Sequence, residues 1–102
     1  FGWKIRWQGT AINNGFTVHV GGDDNYLAIY KPPGTPEPTG HDTYEAIGGL
    51  NHLGVVVDDL EATEAKVKAA GYVPHAHADD EPGKRFYFDG PEGVEIEVIS
   101  YA

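Results

Sequence analysis

The stretch Leu50-Asn51-His52-Leu53-Gly54-Val55-Val56-Val57-Asp58-Asp59 decides how this chain folds. From Leu50 to Val57 it is a β-branched run suited to the interior of a sheet. Asp58, with Glu61 three residues on, then has the spacing of an N-terminal helix cap and ends the strand. A helix is predicted from there to about Ala70, because Leu60, Thr63, Val67 and Ala70 recur at helical spacing and Gly71 supplies a left-handed stop. Three strands are predicted next, at roughly Tyr72 to His75, Arg85 to Asp89 and Val94 to Tyr101, with Gly90, Pro91, Glu92 and Gly93 turning the chain between the last two. Residues 49 to 102 therefore read as one βαβββ unit.

Upstream, Trp3, Ile5 and Trp7 alternate with Lys4, Arg6 and Gln8, as in a half-buried strand. Asn13, Asn14 and Gly15 make a turn, Phe16, Val18 and Val20 alternate with Thr17 and His19, and a second turn follows at Gly21, Gly22, Asp23 and Asp24. Tyr26 to Tyr30 is a third strand, so residues 1 to 30 read as three consecutive antiparallel strands. Residues 31 to 48 carry four prolines, several glycines and no apolar period, and read as a linker or long loop.

The 102 residues suffice for one compact domain with a modest core. Sixteen acidic against seven basic residues give a net charge of -9, which repels phosphate backbones and anionic membranes, so no nucleic-acid or membrane partner is expected. With no cysteine, disulfides, thiolate nucleophiles and cysteine metal ligands are excluded, and a cytoplasmic location is the default expectation. Apolar runs are far shorter than a bilayer span requires. Serine occurs once, at Ser100, outside any nucleophile-elbow context, and no Gly-rich phosphate loop is present.

The string from Leu50 to Asp59 resembles the opening strand of a vicinal oxygen chelate module, in which a histidine begins the strand and an acidic pair opens the helix. The likeness continues through Ala69 to Tyr72, through Lys84 to Asp89, and into Gly93, Val94, Glu95, Ile96 and Glu97, which resemble the family's terminal turn and glutamate strand. The family includes glyoxalases, bleomycin resistance proteins and extradiol dioxygenases. The resemblance implies an α+β fold of paired βαβββ modules, whose curved mixed sheet forms a groove. Its first module would lack the opening strand and helix here, because residues 1 to 30 supply only three strands. Phe1 opens the chain and no methionine occurs, so a further strand and helix are expected upstream in the parent protein.

The resemblance places metal ligands at His52 and Glu97, with Glu97 also the candidate catalytic proton shuttle. Alternation agrees: with Leu53, Val55 and Val57 under the helix, His52 faces the other way, and so does Glu97 if Val94, Ile96 and Val98 face the helix. An imidazole and a carboxylate on one surface suit Zn, Ni, Mn or Fe. In the first module Ala28 stands where the family would carry a glutamate, and His19, Tyr26, Tyr30 or water are the candidates to fill a position. The groove is expected to display Arg6, Arg85, Tyr87, Glu95 and Tyr101. Arginine with tyrosine suits an anionic or aromatic ligand, whereas a cross-strand salt bridge between Arg85 and Glu95 is the plainer alternative. His75, Ala76 and His77, followed by Asp79, Asp80 and Glu81, read as a solvated loop rather than a coordination sphere, and His41 is treated alike.

Two functions stay open. One is a divalent-metal-dependent lyase, isomerase or dioxygenase acting on a small substrate with vicinal oxygens. The other is a metal-free protein binding an antibiotic or aromatic small molecule. A homodimer is expected under either, since paired modules in this family commonly complete their groove across subunits.

Overall fold

The computed structural model describes residues 1–101 and contains two compact units, Phe1–Gly40 and a second beginning at His41. Together they hold two sheets and one α-helix, an α+β architecture. Among the described residues no helix is long and apolar enough to cross a membrane.

The first unit is a three-stranded antiparallel sheet of β1 (Lys4–Thr10), β2 (Phe16–Gly21) and β3 (Tyr26–Lys31), as the alternation predicts. One expectation is overturned. Ile5 pairs with Val20 and Trp7 with His19, so a β-bulge at Arg6 intervenes and moves Trp7 to the face opposite Ile5. The bulge is tied down by the Arg6 guanidinium, which donates to the carbonyl of Gly22. One face then carries Ile5, Phe16, Val18, Val20, Leu27 and Ile29, and the other carries Trp7, His19, Tyr26, Ala28 and Tyr30.

The second unit runs β4 (Leu53–Val56), α1 (Leu60–Ala69), β5 (His75–Asp80), β6 (Gly83–Asp89) and β7 (Glu95–Ser100). Its sheet has the order β4-β7-β6-β5, with β4 parallel to β7 and the other neighbours antiparallel. The helix crossover is what allows the parallel pair. Register puts Leu53 and Val55 beside Ile96 and Val98, and Phe86 and Phe88 across from Val98 and Ile96. That face packs under α1: Val67, Phe86, Phe88 and Val98 are buried, with Val57, Leu60, Tyr72 and Ile96 packed around them. Each fully buried side chain contributes roughly 1.5–3 kcal/mol.

The helix starts one residue later than the spacing predicts. Asp59, not Asp58, is the N-cap, and its carboxylate accepts from the Ala62 N–H at 3.0 Å, so the Asp58 and Glu61 box does not form. The Asp59→Ala variant should lose about 1 kcal/mol of stability, read as a lower urea midpoint at unchanged m-value. At the other end Gly71 has φ +95, as the left-handed stop requires. The Gly71 N–H bonds Lys68 O and the Tyr72 N–H bonds Val67 O, a Schellman closure that lays Tyr72 over the core.

The strand expected at Tyr72 to His75 lies instead at His75–Asp80, and the segment read as a solvated loop is this edge strand. A bulge between His75 and Ala78, with Ala76 at φ 53, disguises its period. His77 stacks on the buried Phe86 ring and pairs with Glu64 of α1, fastening the edge strand to the helix. This bond holds the Glu64 carboxyl below its ordinary range. Its stabilisation is complete above that ordinary range and is lost as pH falls through the lower folded value. Glu64→Gln should abolish this loss on the acid limb, an effect of about 0–1 kcal/mol for a surface pair, seen in urea midpoints measured from neutral to acid pH.

Candidate functional site

The sheet face of the second unit away from α1 gathers the chemistry-bearing side chains. Parallel pairing puts Gly54 beside Glu97, and antiparallel pairing puts Tyr87 on Glu97's other side. His52, just before β4, brings Nε2 to 3.8 Å from Glu97 Oε1. A Cβ at Gly54 would meet Glu97 Oε1 at 3.5 Å, an ordinary van der Waals contact.

Neighbours orient each of these groups. His52 Nδ1 is hydrogen-bonded to Asn51 Oδ1. An amide oxygen only accepts, so Nδ1 donates to it, and in the neutral ring Nε2 would present its lone pair toward Glu97. Glu97 Oε2 accepts from the Tyr87 hydroxyl at 2.6 Å and lies 3.7 Å from Arg85 Nε. The bond to Glu97 raises the Tyr87 pKa above its ordinary value, which keeps the phenol a donor. Arg85 also donates to Asp80 Oδ1 at 2.8 Å and to Gly83 O at 3.0 Å.

The alternative of an Arg85 to Glu95 bridge is not found among the described residues, and register is the reason: Arg85 pairs across from Ile99, while Glu95 pairs with Asp89. Glu95 instead accepts from Tyr44. Tyr44 belongs to the proline-rich stretch read as linker, yet it bonds β7 and stacks at 6.4 Å on His52. His75 is the other ring that sequence reasoning set aside. It stacks at 6.5 Å on Tyr87, and its Nε2 is 3.5 Å from Asp89 Oδ1. A solitary aromatic in a polar loop was the signal available for Tyr44; for His75 the bulge concealed it.

Accepting by Glu95 stabilises the neutral Tyr44 phenol and pushes its pKa up to about 12, with burial and nearby negative charge adding to it. The bond is intact below the ordinary tyrosine range and is lost as pH rises through the higher folded value. Phenolate absorbance should show one tyrosine titrating near 12, and Tyr44→Phe should remove that transition.

The remaining sequence candidates lie on other elements. Arg6, His19, Tyr26 and Tyr30 belong to the first unit, where His19 stacks between Trp7 and Tyr26 and the Tyr30 hydroxyl donates to Ile12 O at 2.8 Å. Tyr101 follows β7 and is exposed.

A divalent ion, implied by the family resemblance, fits the His52 and Glu97 pair. Two ligands about 2.1 Å from a tetrahedral ion lie about 3.4 Å apart, close to the separation seen, and a neutral imidazole and a carboxylate are suitable donors. Among the described residues no group of three or more His, Asp or Glu gathers for a metal, so the pair would supply only two of an ion's positions.

The family model described as Glyoxalase/Bleomycin resistance protein/Dioxygenase superfamily matches residues 1–98. Two solved structures share the fold. The glyoxalase family protein from Enterococcus faecalis aligns with a TM-score of 0.73 at 22% identity, over 96% of this chain and 78% of that one. The protein SMU.1112c aligns with a TM-score of 0.72 at 22% identity, over 96% and 80%. No curated protein sequence matches.

Proposed function

The chain belongs to the Glyoxalase/Bleomycin resistance protein/Dioxygenase superfamily, and from that premise we propose that it is a divalent-metal-dependent enzyme of glyoxalase or dioxygenase type, with His52 and Glu97 as metal ligands. One observation carries this reading. His52 Nε2 and Glu97 Oε1 stand 3.8 Å apart, too far for a hydrogen bond and close to the spacing of two ligands on one ion. Zn, Ni, Mn and Fe are the ions this N,O pair suits. When bound, such an ion supplies Lewis-acid polarisation to the vicinal oxygens of a small substrate.

The chain's own groups do the rest. Asn51 fixes the His52 tautomer, and Tyr87 with Arg85 holds Glu97 by its outer oxygen, leaving Oε1 to bind the ion or take a substrate proton. Tyr44 and Tyr87 flank His52 with ring faces and edges that suit a flat guest. Titration calorimetry with Zn, Ni and Mn chlorides tests the proposal: saturable binding lost in Glu97→Gln supports it, and equal heats in parent and variant refute it.

A second reading, metal-free binding of an antibiotic or aromatic molecule, is favoured by the Arg85 charge 3.7 Å from Glu97 and the Tyr87 hydrogen bond to it, which together satisfy that carboxylate without an ion. Guest binding that persists in chelator separates the two. The proposal includes a homodimer, for which the edges β1 and β3 of the first sheet, unpaired among the described residues, are the argument, and a cytoplasmic location, which the lack of cysteine suits. A monomer by sedimentation at micromolar concentration counts against it.

A further inference from the structure

The α1 side of the second unit holds a cavity that the proposed metal site does not use. Its volume is about 330 Å³, within the roughly 300–1,000 Å³ that small-ligand pockets span. One wall is the start of α1, with Leu60, Glu61 and Glu64, and the other is the β5 and β6 edge of the sheet, with His77, Asp79 and Lys84. Leu60 and Phe86 contribute to a lining that is mostly apolar. The bulge in β5 puts His77 on this side, where its ring stacks on Phe86 and its Nε2 bonds Glu64, joining the two walls. Lys84 and Phe86 alternate with Arg85 and Tyr87 along β6, so the cavity and the His52 and Glu97 pair lie on opposite faces of one sheet.

The charges around the cavity are not balanced. Glu64 is taken by His77. Glu61 and Asp79, on opposite walls, form no hydrogen bond or ion pair through their carboxylates among the described residues. Lys84 is the register partner of Asp79 on the neighbouring strand, yet no ion pair within 4.0 Å joins them. Arg85 is spent on the other face, where it donates to Asp80 and stands near Glu97. Two unengaged carboxylates therefore face one ammonium across an apolar floor, in a chain whose net charge of -9 already draws cations.

We propose that this cavity binds a small organic cation with an apolar body, a primary alkylammonium in its simplest form. The alkyl chain leaves water for the Leu60 and Phe86 lining, and the ammonium, with three N–H donors and no acceptor, bonds the free carboxylate of Glu61 or Asp79. A bare metal ion gains nothing from the apolar lining, and no group of three or more ligands gathers for one among the described residues. An anion would meet uncompensated carboxylates on both walls.

The experiment is a titration of the whole chain with n-pentylammonium chloride at neutral pH and in chelator, followed in magnetic resonance spectra of the backbone amides and histidine rings. The His77 ring and the Asp79 amide should shift saturably at concentrations on the order of millimolar, while the amides of Gly54 and Glu97, on the other face, stay in place. Methylammonium, which keeps the charge and lacks the body, should bind at least about tenfold more weakly, and so should 1-pentanol and pentanoate, which keep the body and lose the positive charge. Glu61→Gln combined with Asp79→Asn should weaken n-pentylammonium by about tenfold or more. Asp23→Asn combined with Asp24→Asn removes the same net charge from a turn of the first unit and should leave the affinity unchanged. Both pairs exchange exposed side chains at equal size, and a folded spectrum certifies each variant. His77 and Asp79 signals that do not move, methylammonium binding as tightly as n-pentylammonium, a cavity variant that binds like the parent, or equal losses in the two double variants each overturns the proposal. Because the titration is run in chelator and uses none of the metal-site residues, its outcome is separate from that of the metal reading.

Discussion

His52→Ala is expected to lower affinity for added Zn or Ni by at least about 100-fold, since replacing even a group that merely orients a ligand costs about 10–100-fold and here the proposed ligand itself is removed. Asn51→Ala is the graded companion. It leaves Nε2 in place but frees the ring to rotate and to take the other tautomer, so it should fall within that 10–100-fold range. Titration calorimetry at neutral pH reads both, with circular dichroism to show that the fold persists. A parent chain that binds neither ion, or a His52→Ala variant that matches the parent, rejects the metal role. The variant should fold, because His52 precedes β4 and takes no part in the core.

Phe86→Ala is expected to have the largest effect on stability. Phe86 is 1% exposed, pairs across from Val98, and lies against both Phe88 and the His77 ring. Truncating such a side chain costs about 3–5 kcal/mol, against a total of about 5–15 kcal/mol for a typical domain. The second unit should then be largely unfolded at temperatures where the parent is native, with a urea midpoint shifted by more than any surface variant described above. Tyr87→Phe, one residue along and on the other face, removes only a hydroxyl from a half-buried ring and should leave that midpoint nearly unchanged. The contrast tests the face assignment directly. Equal destabilisation by the two variants would mean that the sheet does not bury the even-numbered side of β6.

Much of this arrangement was legible before any coordinates. Leu53 and Val55, then Ile96 and Val98, repeat at a period of two, and that parity alone puts His52 and Glu97 on the opposite side from the helix. Gly71 announces the helix end because only a left-handed residue closes a Schellman turn cheaply. The cap was misread by one residue because Asp58 and Asp59 are chemically equivalent as caps, and the choice between them depends on where β4 lets go. The strand at His75–Asp80 was missed because a bulge shifts the period by one, and a period-of-two search cannot follow the pattern across it. Trp7 went to the wrong face for the same reason.

Sequence by itself determined the α+β class, the βαβββ order, the family and the side of the sheet on which His52 and Glu97 stand, because these follow from local periodicity and chain direction. Only tertiary structure decided that Arg85 pairs with Asp80 and Glu97 rather than Glu95, that Tyr44 reaches Glu95, and that Trp7 joins His19 and Tyr26. Those contacts depend on strand register and on bulges. Both are set by how distant segments meet, and a single bulged residue exchanges one face for the other without leaving a mark in composition.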